Sequence, residues 1–240
     1  MDIKSAADLK VKLFADGADL EGMLKMYAKP WIKGFTTNPT LMRKVGISDY
    51  AAFAKQVLAA IPDRPISFEV FSDEFPEMER QAQEIARWGT NVYVKIPVTN
   101  TRGESTRDLC RRLASNGLKL NVTALLTLEQ VCTIATALAG GPPACISVFA
   151  GRAADAGVDP LPLMRSALDI LAQYPNIELI WASPRELFNI VQAHSIGCHI
   201  ITVTNDILAK LDLIGKDLTE YSLDTVKMFH RDAVASGFAL

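Results

Sequence analysis

The sequence predicts an α/β fold: a single (β/α)8 TIM barrel over residues 1–240, with an additional C-terminal helix. Three observations point there. Eight short apolar runs alternate with eight helical stretches, the order expected of a parallel sheet with crossover helices. A doubly wound open sheet normally has fewer strands and a glycine-rich phosphate turn, and this chain carries neither GxGxxG nor GxxxxGK[ST]. No linker or low-complexity segment interrupts the 240 residues, a length at which α/β barrels commonly form one domain.

In chain order, strand Lys12–Ala15 runs into Asp16 and is followed by helix Asp19–Tyr27. Strand Gly34–Thr36 stops at Asn38-Pro39, and helix Tyr50–Ala60 leads to strand Ile66–Val70. Helix Glu74–Trp88 has the clearest spacing, with Met78, Ala82, Ile85 and Trp88 on one face and charges between. Strand Asn91–Ile96 and helix Glu104–Asn116 follow, and Asn116-Gly117 forms a C-cap ahead of strand Leu118–Val122. Helix Leu128–Ala139 ends in the turn Gly140-Gly141-Pro142-Pro143, before strand Ala144–Phe149. Helix Leu161–Tyr174, strand Ile177–Trp181 and helix Pro184–Ala193 precede a second C-cap at Ser195-Ile196-Gly197. Strand Cys198–Val203 and helix Asp206–Leu213 complete the alternation. The additional helix, Ser222–Ala235, takes Ser222 as N-cap and has Leu223, Val226, Phe229 and Val234 on an apolar side. That side suits either its own barrel or a neighbour.

Composition narrows the function. A net charge of −2 and a pI near 6.0 argue against a general nucleic-acid binder. No apolar run reaches the ~18 residues of a membrane span, and Met1–Ser5 lacks the apolar core of a signal peptide, so a cytoplasmic protein is expected. Cys110, Cys132, Cys145 and Cys198 form no CxxC pair and read as inert core residues. His194 and His199 lack the spacing that presents two ligands on one helix face, so neither metal nor cofactor is expected.

Lys95 is out of place. Alternation puts Val92, Val94 and Ile96 on one face of its strand and Asn91, Tyr93 and Lys95 on the other. Burying an unpaired ammonium is costly, and burial also lowers a lysine's pKa, so that a neutral amine can attack a carbonyl and form a Schiff base. Taken alone, the stretch fits an ion-paired or snorkelling lysine better. The other strand ends change the balance, because catalytic groups of such barrels sit at the C-terminal ends of the strands. Asp16, Thr37, Asn38, Glu69, Asn121, Thr123, Ser147, Phe149, Arg152, Ser183 and Arg185 all fall there. Singly, Asp16 and Asn38 could cap helices, Glu69 could pair with a surface cation, and Asn121 could satisfy buried backbone. Together they are costly unless a polar ligand occupies the site.

Gly-Phe-Thr-Thr-Asn-Pro-Thr at 34–40 and Val-Lys-Ile-Pro-Val at 94–98 resemble the two hallmark segments of the transaldolase family. The resemblance continues through Ala15-Asp16, Ser67–Val70, Asn121–Thr123, Ile146–Arg152 and Ala182–Arg185, and the chain's length is similar to the short subfamily that includes fructose 6-phosphate aldolases. It implies Lys95 as the Schiff-base lysine and Asp16 as the acid/base group at the C4 hydroxyl. Glu69 and Thr123 would hold the water of imine formation and hydrolysis. Thr37, Asn38, Asn121, Ser147 and Phe149 would surround the dihydroxyacetone part, and Arg152, Ser183 and Arg185 the distal phosphate.

The implied activity is transfer of dihydroxyacetone from a ketose phosphate to an aldose phosphate. The alternatives are an aldolase that releases dihydroxyacetone, or a non-catalytic sugar-phosphate-binding barrel. Within the resemblance, the aldolase branch has Gln at the position of Glu69 and Tyr at that of Phe149, so this chain sides with transaldolase. Pro184 departs from the aromatic residue usual in the longer enzymes and restricts the backbone beside Arg185. The resemblance further implies a homo-oligomer, a pentameric or decameric ring contacting through the last helix, and a role in the pentose phosphate pathway or a specialised sugar route.

Overall fold

The computed structural model describes residues 3–237; Met1, Asp2 and Phe238–Leu240, the extreme ends of the expected 1–240 domain, lie outside the described residues. Eight parallel strands close a barrel in sequence order: β1 (Lys12–Asp16), β2 (Ile32–Thr36), β3 (Ile66–Glu69), β4 (Val92–Pro97), β5 (Leu120–Leu125), β6 (Ala144–Val148), β7 (Ile177–Trp181) and β8 (Ile200–Thr204). The helices, in chain order, are α1 (Leu20–Tyr27), α2 (Pro39–Lys44), α3 (Tyr50–Ala60), α4 (Phe75–Ala86), α5 (Arg107–Ser115), α6 (Leu128–Leu138), α7 (Ala150–Asp155), α8 (Pro160–Leu171), α9 (Phe188–Ser195), α10 (Asn205–Leu208) and α11 (Leu218–Ser236).

Strand alternation divides the core in two. Outward residues such as Phe68, Val94, Ile96, Val122, Ile146 and Trp181 are buried in the main cluster shared with the helices. Inward residues Phe14, Cys145, Ile180 and Ile200 form a smaller cluster with Tyr93 and Phe149, an apolar floor inside the barrel. Gly34 is part of that floor: a Cβ there would lie 2.5 Å from the Phe14 ring, so only glycine lets the ring cross β2. Above the floor the inward positions turn polar, and the site is built on them.

Several boundaries move for local reasons. The segments 39–44 and 150–155, to which the sequence assigns no element, each form a short helix, the first capped by Asn38. Residues 104–106 are not helical, because a Thr99–Ser105 bridge folds that stretch into a tight hairpin. The C-terminal helix starts at Leu218 and not after Ser222, because the Asp217 carboxylate accepts from the Thr219 and Glu220 amides. None of the helix is buried on its own barrel, and Leu218, Leu223, Val226, Phe229 and Val234 are exposed. Three cysteines are buried as expected; Cys132, on α6, is instead exposed. Among the described residues, no helix is long and apolar enough to cross a membrane, and no three His, Cys, Asp or Glu side chains are grouped to hold a metal ion.

Candidate active site

A cavity of about 430 Å³ opens at the C-terminal ends of the strands, lined by Asp16, Asn38, Glu69, Lys95, Thr123, Ser147, Phe149, Arg152 and Ser183 among others. Parallel register brings the central pair together: Glu69 on β3 lies opposite Lys95 on β4. Lys95 is 7% exposed. Its Nζ lies 3.2 Å from Glu69 Oε2 and donates to the Thr37 carbonyl at 3.3 Å. Glu69 is itself anchored from behind, since Tyr50 on α3 donates its hydroxyl to the Glu69 backbone carbonyl at 2.8 Å. Glu69 therefore pairs with a buried lysine rather than a surface cation.

Asp16 does not cap α1; Asp19 does, accepting from the Gly22 amide. Instead, Asp16 Oδ1 accepts from the Thr36 hydroxyl at 2.7 Å. Burial pushes its carboxyl above the usual carboxylate range, while the Lys95 charge and the Thr36 hydrogen bond pull it back. The resulting carboxylate is a stronger base than an exposed one.

Three expected residues occupy other positions. Thr37 does not line the cavity: its hydroxyl is buried and donates to the Ser67 carbonyl at 2.8 Å, leaving its backbone carbonyl for Lys95. Asn121 lies beneath the cavity wall, fully buried, where Nδ2 donates to Ser67 Oγ at 3.0 Å and Oδ1 accepts from Ser147 Oγ at 2.7 Å. This chain across β3, β5 and β6 aims Ser147 at the cavity. Arg185 is outside it, its guanidinium held by a twofold hydrogen bond to Asp155 at the end of α7, with Nε to Oδ1 at 2.9 Å. Arg152 does line the cavity and stacks on the Phe149 ring at 5.4 Å from its centroid. The mouth thus presents one guanidinium, Arg152, with no carboxylate partner among the described residues, and one already paired.

Asn38 serves two purposes, lining the cavity while its Oδ1 accepts from the Leu41 amide at 2.9 Å to start α2. Thr123 Oγ1 is buried at the wall with no hydrogen-bond partner among the described residues. Its neighbour Ala124 takes a left-handed φ of 65°, where β5 slips register against β6. Ser183, at φ 61°, is the other non-glycine with positive φ among the described residues, and its carbonyl would lie 1.6 Å from a Cβ on residue 151, which only glycine accommodates.

Thr36 and Thr202 also line the cavity, and the sequence assigns neither a role. Parity would have found Thr36, two residues beyond inward-facing Gly34; Thr202 has no motif around it and shares only the inward parity of Ile200. As a whole the site holds an amine against one carboxylate, a second carboxylate of raised basicity, several hydroxyls and a guanidinium. Such a set suits addition to a carbonyl, proton transfers on hydroxyls, and retention of an anionic tail.

The model of the family described as transaldolase/fructose-6-phosphate aldolase matches residues 13–240. A protein named probable transaldolase from Dehalococcoides mccartyi is 35% identical over 202 residues, covering 84% of this chain and 90% of that protein. Another of the same name, from Thermoanaerobacter sp., is 33% identical over 224 residues, covering 93% and 98%. The crystal structure of a candidate phosphonomutase from Burkholderia cenocepacia superposes with a TM-score of 0.57 at 11% identity, covering 95% of this chain and 96% of that one, a likeness of fold alone. With the family model spanning the whole barrel and these relatives matching nearly end to end, the chain belongs to the transaldolase/fructose-6-phosphate aldolase family.

Proposed function

We propose that the chain is a transaldolase. It takes a dihydroxyacetone unit from a ketose phosphate, such as sedoheptulose 7-phosphate or fructose 6-phosphate, and passes it to an aldose phosphate through a Schiff base on Lys95. The observation that carries this reading is a buried lysine in the cavity wall, paired with Glu69 and sharing the cavity with Asp16.

The steps follow from the residues. Glu69, 3.2 Å from Nζ, accepts the proton that Lys95 must give up before its lone pair attacks the ketose carbonyl. Water is lost from the carbinolamine and a protonated imine forms. Asp16 takes the proton of the C4 hydroxyl, the C3–C4 bond breaks, and the electron pair flows into the imine as the aldehyde leaves. Addition of the acceptor aldehyde reverses these movements, with Asp16 returning its proton to the new hydroxyl. Glu69 and Thr123 hold the water used in forming and hydrolysing the imine; the unpartnered Thr123 hydroxyl is suited to that role. Asn38 and Ser147 bind the dihydroxyacetone hydroxyls, Thr37 and Asn121 acting behind them, and Arg152 with Ser183 takes the distal phosphate.

Phe149 favours transfer over simple release. Its phenyl ring, stacked on Arg152, has no hydroxyl to position a water that would protonate the carbanion. Incubation with a ketose phosphate and borohydride is expected to fix a three-carbon adduct on Lys95, absent from Lys95→Ala. No mass increase would favour the binding-protein reading, and rapid release of free dihydroxyacetone without acceptor would favour the aldolase.

We further propose that copies associate through α11, since its apolar residues have no cover on their own barrel. Sedimentation of a chain ending at Asp217 is expected to give a smaller species than the full chain; equal values would refute this contact.

A further inference from the structure

We propose that Thr202, through Thr36, is a positioning residue that directs proton uptake by Asp16 to Oδ2, the oxygen that Thr36 does not hold, an inference that depends on the acid/base role proposed for Asp16. A carboxylate only accepts, and each threonine hydroxyl has a single proton to give. Thr36 spends its proton on Asp16 Oδ1 at 2.7 Å. Thr36 Oγ1 is also hydrogen-bonded to Thr202 Oγ1, and with its own proton committed it can only accept there. Thr202 therefore donates to Thr36, and Thr36 to Asp16. Both hydroxyl dipoles point their positive ends at the carboxylate.

The placement comes from three neighbouring strands. Asp16 lies opposite Thr36 across β1 and β2, and Thr202 on β8 lies opposite Phe14, one inward step below Asp16. Thr36 and Thr202 are both buried, 2% and 7% exposed, so bulk water competes poorly for these contacts.

Two consequences follow. With Oδ1 occupied by a donor, and no described residue donating to Oδ2, a proton taken from substrate goes to Oδ2. Placing it on Oδ1 would require both hydroxyls to reverse together. The pair also stabilises the charged form of Asp16 against the effect of its burial. The charged groups that share the cavity with it are Lys95 on β4, Glu69 on β3 and Arg152 on α7, and the Lys95 charge favours the ionised carboxyl.

The test is a carbon-13 NMR titration of the Asp16 carboxyl in the resting enzyme, alongside the acidic limb of the kcat/KM profile. Thr202→Val is nearly isosteric and lacks only the second hydroxyl. It is expected to raise the Asp16 pKa by about half a unit, Thr36→Val by about one unit, and Thr202→Ser to restore the wild-type value. The acidic limb is expected to move by the same amounts. A Thr202→Val carboxyl that titrates as in the wild type would overturn the proposal, as would a Thr202→Ser variant that stays shifted. The titration needs no turnover, so failure of the Lys95 adduct would defeat the transaldolase reading and leave this result standing by itself.

Discussion

Replacing Asn121 by leucine separates support from direct substrate binding. The leucine approximates the amide's volume but breaks both contacts, the 3.0 Å bond to Ser67 and the 2.7 Å bond from Ser147. Asn121 is 0% exposed, so water cannot readily replace the lost partners. The Ser147 hydroxyl is left with a proton and no acceptor, and Ser67 loses a donor; each unmet buried group costs about 1–3 kcal/mol, partly offset by the apolar side chain. A net loss of about 2–3 kcal/mol is expected, which for a chain of this length lowers the Tm by about 4–12 °C. Removing all three polar groups together, in Ser67→Ala/Asn121→Leu/Ser147→Ala, is expected to recover most of that loss, because no unmet group remains. Thermal melts and urea titrations of the single and triple variants measure both values. A single variant as stable as the wild type, or a triple variant less stable than the single one, would refute the reasoning.

Asp16→Asn is expected to lose turnover by several orders of magnitude while gaining stability. The carboxyl of Asp16 is raised in the folded chain, so the native state binds the extra proton and wild-type stability falls as pH rises from the unfolded value toward the folded one. The asparagine variant lacks that fall, so its Tm advantage is expected to grow above about pH 4 and then level off, as melts across pH would show. Asp155→Asn frees Arg185 from a half-exposed and therefore weak pair, adding a second guanidinium near the cavity mouth. It is expected to lower KM for phosphorylated donors about two- to fivefold and leave unphosphorylated ones unchanged; an equal change in both would show that Arg185 does not reach the anion.

Much of this architecture is legible in the chain, because periodicity is a direct imprint of burial. Val92, Val94 and Ile96 against Tyr93 and Lys95 reveal an outer and an inner face of β4, and an ammonium on the inner face marks the cavity. What escapes depends on partners remote in sequence. Nothing around Arg185 announces that Asp155, thirty residues earlier, will hold it. Thr36 and Thr202 are ordinary strand residues by composition, and only closure of the barrel brings β2 and β8 to either side of β1. The early start of α11 depends on the Asp217 carboxylate, which the apolar spacing beyond Ser222 does not register.

The left-handed alanine at position 124 has a consequence for how this enzyme could be altered. Glycine would accept that backbone without the penalty an alanine incurs, and by local energetics would be the easier residue to place there. Yet glycine would also let the β5 bulge sample other shapes, and the adjoining Thr123 hydroxyl would wander with it. The methyl group thus exchanges a little stability for a fixed aim, so a mutational screen scored on heat resistance alone would favour its removal and blunt the catalyst.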